Sequence, residues 1–529
     1  MSNPNAAIRR GHVLVLLAAI VMHAALFLPP ALRRRDILHD EAITLLVITG
    51  HQAAYDRTIR GDAPPHHAWA PAGEWKRLLT LEPDRPPTLG QIGAELGALD
   101  IHPPAYFWLG SLVARAFGAT VGVVLGLNLF LDTLTLVALF FLAKWLSRDA
   151  RVGAVAASLW ALSPGPLEAS LEMRQYALLG LVMTVFALLA SMSLDAASPR
   201  RPAVVALLLV MVSGIGVATH YHFVLALGAG LVVAAVSLGR KEPRRALLFA
   251  SSLTIGATLG LLAHPHVFEV LKRQGEQAQR FAPLDIPVRI GGVFVGMGRF
   301  FVWSVPLVVA WMITLVVALV LAIRAPKGSL VAILRPFEPR VLRALALLGL
   351  TFGGQVALFL AFRSPAGAMR AKYLALDYPL FACVLAWALL RPTLHRRVQQ
   401  AVVAVVVVSS TVLVVDELWR AREVEASMST VTPARRMVLD SVARGSLPLA
   451  LWNVPAEMPV FAASPADLVA HASDVAAAFE PGTLLVLDPR PEAAERRATL
   501  LRLVPACCRA EELHPAVFRG RATYQIVPR

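Results

Sequence analysis

The chain has 529 residues, 57% of them hydrophobic and 16% charged, with a formal net charge of +15. Soluble globular chains carry about 25% charged residues, so a soluble fold is excluded and lipid is the solvent for most of this chain. The basic residues sit in short clusters between apolar runs rather than in a stripe with interleaved aromatics, which excludes a nucleic-acid partner and points to loops facing anionic lipid.

In chain order, Arg9 and Arg10 precede an apolar run at 12–30, long enough to cross the hydrocarbon core. It runs into "LPPALRRR" rather than a small-residue cleavage site, so it reads as a retained anchor. A long outer loop, 31–118, follows. It opens with "RRRDILHDEAITLLVITG", which places Asp40 and Glu41 side by side near the end of a span. Later comes "LDIHPPAYFW": prolines suited to a first helical turn, then aromatics suited to headgroup depth. The stretch 102–118 carries Arg115 and reads as a helix lying in the interface.

Further apolar runs lie at 121–146, 152–168, 174–194, 203–219, 221–238, 246–263, 301–323, 342–362, 372–390 and 398–415. With the first run these make about eleven spans. If the N-terminus is cytoplasmic, alternate short loops collect the Lys and Arg clusters, as expected for inside loops. Arg33 to Arg35 oppose that assignment, but long loops translocate with little regard to charge.

Beyond 416 the composition changes. "LPLALWNVP", "LLVLDPR" and "TYQIVPR" read as strands, and "PADLVAHASDVAAAF" and "PEAAERRATLLRLV" as helices. The expectation is a mostly α, polytopic membrane protein: 1–415 a multi-spanning catalytic domain, 416–529 a small α/β domain on the outer face.

The unusual polar residues gather at one set of span ends. Asp40, Glu41, His102, Arg174, Tyr176, His220, His222, Arg370, Lys372 and Tyr373 mix acid, base and aromatic groups, whereas the opposite loops carry charge alone. A carboxylate at Asp40 or Glu41 suits general-base work, although acids also favour a helix N-terminus for its dipole. Arg174 in "SLEMRQYALLGL" suits a phosphate; a snorkelling arginine reads equally well. "GAMRAKYLALDYPLF" repeats the cation–aromatic pattern, with Asp377 inside the span, where an acid is expected to face the bundle interior and find a partner. The pairs His66-His67, His220-His222 and His264-His266 fall outside, but i,i+2 spacing does not stack on one helix face and no ligand set is completed, so no catalytic metal is expected. The three cysteines, Cys383, Cys507 and Cys508, read as packing residues.

The ordered set of acid pair, "HPP" with aromatics, Arg-x-Tyr, "THYHF" and "RAKYLALDYP" resembles the GT-C membrane glycosyltransferases, nearest the bacterial protein-mannosyltransferase-like branch that includes the lipid A aminoarabinose transferases. The resemblance covers about residues 10–415. It implies transfer of a sugar from a polyprenyl-phosphate donor to a lipid, glycan or protein acceptor, with no cofactor, at the outer face of a bacterial inner membrane. It maps the catalytic acid to Asp40, with Glu41 beside it. Here the late motif reads Arg-Ala-Lys-Tyr where the common form is Arg-Tyr, so which cation meets the phosphate is open. A transporter or flippase is the main alternative, yet no internal repeat is evident and the polar set clusters at one interface. A structural or sensory protein presenting its tail is a third class.

Overall fold

The computed structural model describes residues 10–34, 37–59, 62, 68–82, 84–195, 201–264, 266–270, 272, 291, 293, 297–298, 300, 339–361, 371–390, 396–430, 434–440, 454–463, 465–477, 479–488, 493–513 and 522–529. The predicted span at 301–323, and His66, His67 and Arg370, lie outside the described residues.

Helices dominate: α1 (Arg10–Leu32), α2 (His39–Ile48), α3 (Gln52–Ile59), α4 (Ala72–Lys76), α5 (Leu89–Leu99), α6 (Ala105–Phe117), α7 (Val121–Ser147), α8 (Ala150–Leu162), α9 (Pro164–Leu171), α10 (Tyr176–Ser193), α11 (Pro202–Thr219), α12 (Phe223–Leu238), α13 (Pro243–Leu262), α14 (Pro339–Ala361), α15 (Tyr378–Leu389) and α16 (Arg396–Thr430). Among the described residues seven are long and apolar enough to cross a membrane, and α8, α12 and α15 are shorter apolar helices. The multi-span, mostly helical class expected from the sequence is what the chain adopts.

Local chemistry sets the helix boundaries. Pro164, Pro202 and Pro243 open α9, α11 and α13, where a missing N–H costs nothing. The Asp149 side chain accepts from the Arg151 backbone N–H at 2.9 Å and caps α8. Pro164 and Pro166 also correct one reading: the run 152–168 is not one span, because α8 stops at Leu162 and α9 starts anew.

The chain divides into two compact units. The first comprises residues 1–28, 96–106 and 125–414. Its helices pack through small residues. A Cβ on Gly256 of α13 would collide with the Val210 carbonyl, and one on Gly260 with the Gly214 carbonyl, so α11 and α13 touch backbone to backbone. Such contacts are how helices associate where lipid removes the hydrophobic drive.

The second unit comprises residues 29–95, 107–124 and 415–529. Among the described residues it holds a six-stranded sheet of β1 (Ala70–Pro71), β2 (Arg436–Asp440), β3 (Pro459–Ala463), β4 (Thr483–Leu487), β5 (Cys508–Glu512) and β6 (Ala522–Pro528), ordered β1-β3-β2-β4-β6-β5. β2 runs parallel to β3 and β4; the other pairings are antiparallel. Val438, Phe461, Leu485, Leu500 and Ile526 lie in its core. "LLVLDPR" and "TYQIVPR" overlap β4 and β6, each of which starts one residue earlier, whereas most of "LPLALWNVP" lies outside the described residues. β1, from the long loop, adds to the sheet edge through Ala70 opposite Val460.

Candidate functional site

In the first unit, five chain segments bring polar side chains together. One is the α5–α6 turn, where Asp100 Oδ1 accepts from His102 Nδ1 at 2.7 Å and from the Ile101 N–H at 2.6 Å. A second is the break between α9 and α10, where Glu172 is extended (φ −94°, ψ 128°) and Arg174 follows. A third is the turn between α11 and α12, carrying His220, Tyr221 and His222. The fourth is the end of α13, with His264. The fifth is a 3-10 turn, Ala371–Leu374, with Lys372.

Four of these segments are linked contact by contact, and the α5–α6 turn is coupled to them electrostatically. Lys372 Nζ donates to Glu172 Oε1 at 2.5 Å and lies 5.5 Å from the Tyr176 ring centre. The Tyr176 ring is 6.5 Å from His220, which is 4.7 Å from His222. Tyr221 hydrogen-bonds His264 and stacks on it. Arg174, 3% exposed, and Lys372, 6% exposed, are buried cations. Glu172 pairs with Lys372, and the field of Arg174 falls on Asp100.

The electrostatics follow. Burial raises the Asp100 carboxyl, but His102 and then Arg174 outweigh it and hold it well below the usual carboxylate range. Asp100 is therefore an anion at any working pH. Burial first, then His222 and His102, hold His220 well below the ordinary imidazole value. Burial also lowers His222, so both rings are neutral at pH 7. Burial and the nearby Asp100 raise the Tyr221 phenol, which stays protonated as a donor.

Six sequence-predicted residues thus meet: His102, Arg174, Tyr176, His220, His222 and Lys372. Tyr373 does not join them. It is half-buried, and among the described residues no hydrogen bond or ring contact links it to the cluster. Asp377 begins α15 rather than lying within it. It is fully buried, and among the described residues neither carboxylate oxygen has a hydrogen-bond partner, against the expectation that it finds one. Sequence reading gave no site role to Tyr221 or His264. The turn also overturns the helix-face argument about the histidines, because i,i+2 rings do meet when the backbone is not helical.

In the second unit, Asp40 and Glu41 occupy the first turn of α2. Glu41 is fully buried and committed: its Oε2 accepts from Arg34 Nη2 at 2.7 Å and from the Leu38 N–H at 2.6 Å. That second bond is the reaching-back half of a capping box. Asp40 is half-buried, its backbone carbonyl taking the Thr44 hydroxyl at 3.1 Å.

No family model matches the chain, and no curated protein matches it. Solved structures do. The structure of ArnT from Cupriavidus metallidurans bound to undecaprenyl phosphate covers 98% of this chain and 98% of its own, at 14% identity and a TM-score of 0.53. The apo form of the same protein covers 97% of each, at 14% identity and a TM-score of 0.51. The chain therefore shares the fold of the ArnT structure.

Proposed function

We propose that this chain is an integral membrane glycosyltransferase. It moves a sugar from a polyprenyl-phosphate donor to an acceptor hydroxyl at the outer face of a bacterial inner membrane, with the N-terminus cytoplasmic and residues 416–529 on the outer side. The observation that supports this reading is the burial of Arg174 and Lys372 among Tyr176 and neutral imidazoles in a lipid-facing helical unit. Buried cations among membrane-spanning helices are costly and mark a path for a charged ligand. The bound undecaprenyl phosphate of the ArnT structure names a lipid of that class.

The chemistry assigns separate tasks. Asp40 is the general base, removing the acceptor proton as its oxygen attacks the anomeric carbon. Glu41, held by Arg34 and the Leu38 N–H, orients the helix turn instead of reacting. The sugar–phosphate bond breaks and the carrier leaves as a phosphate monoester with one more negative charge. Arg174 and Lys372 stabilise that charge more in the transition state than before it. At rest Glu172 neutralises Lys372, so the phosphate competes with Glu172 for the ammonium. Asp100 fixes the His102 tautomer and ring orientation through Nδ1. The stored bond supplies the driving force, and no cofactor is invoked.

The phosphate assignment is tested with purified protein in nanodiscs. Wild type binds undecaprenyl phosphate in preference to undecaprenol, and the Arg174→Met, Lys372→Met double variant loses that preference. Equal binding of the two lipids by wild type contradicts the assignment.

A further inference from the structure

The break between α9 and α10 leaves buried backbone carbonyls without intrahelical partners in a helical unit, where unsatisfied backbone is costly. α7 satisfies it. Asn128 Nδ2 donates to the Ser170 carbonyl at 2.9 Å and to the Glu172 carbonyl at 2.8 Å. Its Oδ1 accepts from the Tyr106 hydroxyl at 2.9 Å. The amide orientation is fixed by this set: reversed, its oxygen would face two carbonyls. One turn further on the same face of α7, Asp132 accepts from the Ser170 hydroxyl and from His23 Nε2. Asn128, Asp132 and Ser170 are all essentially inaccessible to solvent.

The clamped segment is the one that carries the site. Glu172, whose carbonyl Asn128 grips, sends its side chain to Lys372, and the Arg174 N–H donates to that same carbonyl at 2.7 Å. We infer that Asn128, seconded by Asp132, is a positioning residue for the phosphate: it fixes the backbone of Glu172 and so sets Arg174 and Lys372 in place. The inference rests on the reading of those cations as the phosphate site. Neither α7 residue touches the lipid.

The test compares binding of undecaprenyl phosphate with that of undecaprenol, because a merely structural lesion weakens both alike. Asn128→Asp keeps the shape but removes both N–H donors; Asn128→Ser removes the double grip without adding charge, and serves if the first variant does not fold. Losing two buried hydrogen bonds to the break lowers the preference for the phosphate about tenfold. Tyr106→Phe, which spares both donors, leaves the preference within about twofold. A wild-type preference in a folded Asn128 variant, or equal weakening for both lipids, overturns the positioning role. Loss of the preference in wild type itself instead removes the phosphate reading.

Discussion

Lys372 Nζ and Glu172 Oε1 stand 2.5 Å apart with side chains only 7% and 11% exposed, so one of the two cations proposed to meet the carrier phosphate is already neutralised by an acid. A buried pair of this kind stabilises little in itself, but deleting one partner strands a charge at about 3–5 kcal/mol. Glu172→Gln therefore lowers the thermal midpoint without ligand. It also strengthens undecaprenyl phosphate binding by about three- to tenfold, since the ammonium has lost its competitor. A larger thermal shift on adding the lipid, relative to wild type, checks this; a smaller one contradicts it.

Asp40 and Glu41 are adjacent in sequence but separable by experiment. Glu41 holds Arg34 and the Leu38 N–H with no exposed surface, so Glu41→Ala costs about 2–4 kcal/mol. Asp40 is half-buried, and Asp40→Asn leaves the melting curve close to wild type. Differential scanning of both variants in detergent separates them. An Asp40→Asn protein that melts far below Glu41→Ala would reverse the assignment.

Acidification has a defined sign. His220 and His222 resist protonation when folded, whereas an unfolded imidazole takes a proton near pH 6.5. Between those values the unfolded state binds more protons, so stability is complete above about pH 6.5 and is lost as pH falls below it. His220→Asn flattens the fall in thermal midpoint between pH 7.5 and 5.5. The Asp100 carboxylate, held low, adds a second loss only below about pH 4. An unchanged slope in His220→Asn counts against the neutral-ring account.

Helix packing makes a fourth prediction. Gly256 meets the Val210 carbonyl with no room for a Cβ, so Gly256→Leu forces α11 and α13 apart. Overpacking of this sort costs about 1–3 kcal/mol or more. Detergent extracts should show aggregated protein, while Gly228→Ala, where a Cβ meets nothing within 4 Å, behaves as wild type.

Most of the helical pattern was legible because a span must satisfy its backbone internally and stay apolar throughout, a signal that needs no neighbours. α1, α7, α10, α11 and α13 appear where the apolar runs place them. The split of 152–168 is legible too, in Pro164 and Pro166. β2 and β3 were not: parallel strands buried on both faces lose their alternation, and "MVL" and "VFAA" resemble any short apolar run. β5 carries Arg509, Glu511 and Glu512 at the sheet edge, a pattern that composition reads as loop. At the site, charged and aromatic residues announced themselves by being out of place beside lipid. Asn128 and Asp132 stood out equally in α7, but their partners lie about forty residues away on backbone atoms or in another helix, which no local pattern encodes.

In the proposed reaction Asp40 is the base that drives sugar transfer. The direct measurement is mass spectrometry of envelope lipids, polysaccharides and glycoproteins from cells lacking this chain, complemented with wild type or with Asp40→Asn at matched expression. With Asp40 as base, one sugar-bearing species disappears on deletion, returns with wild type and stays absent with Asp40→Asn. An unchanged set of envelope sugars on deletion, or full restoration by Asp40→Asn, would contradict it.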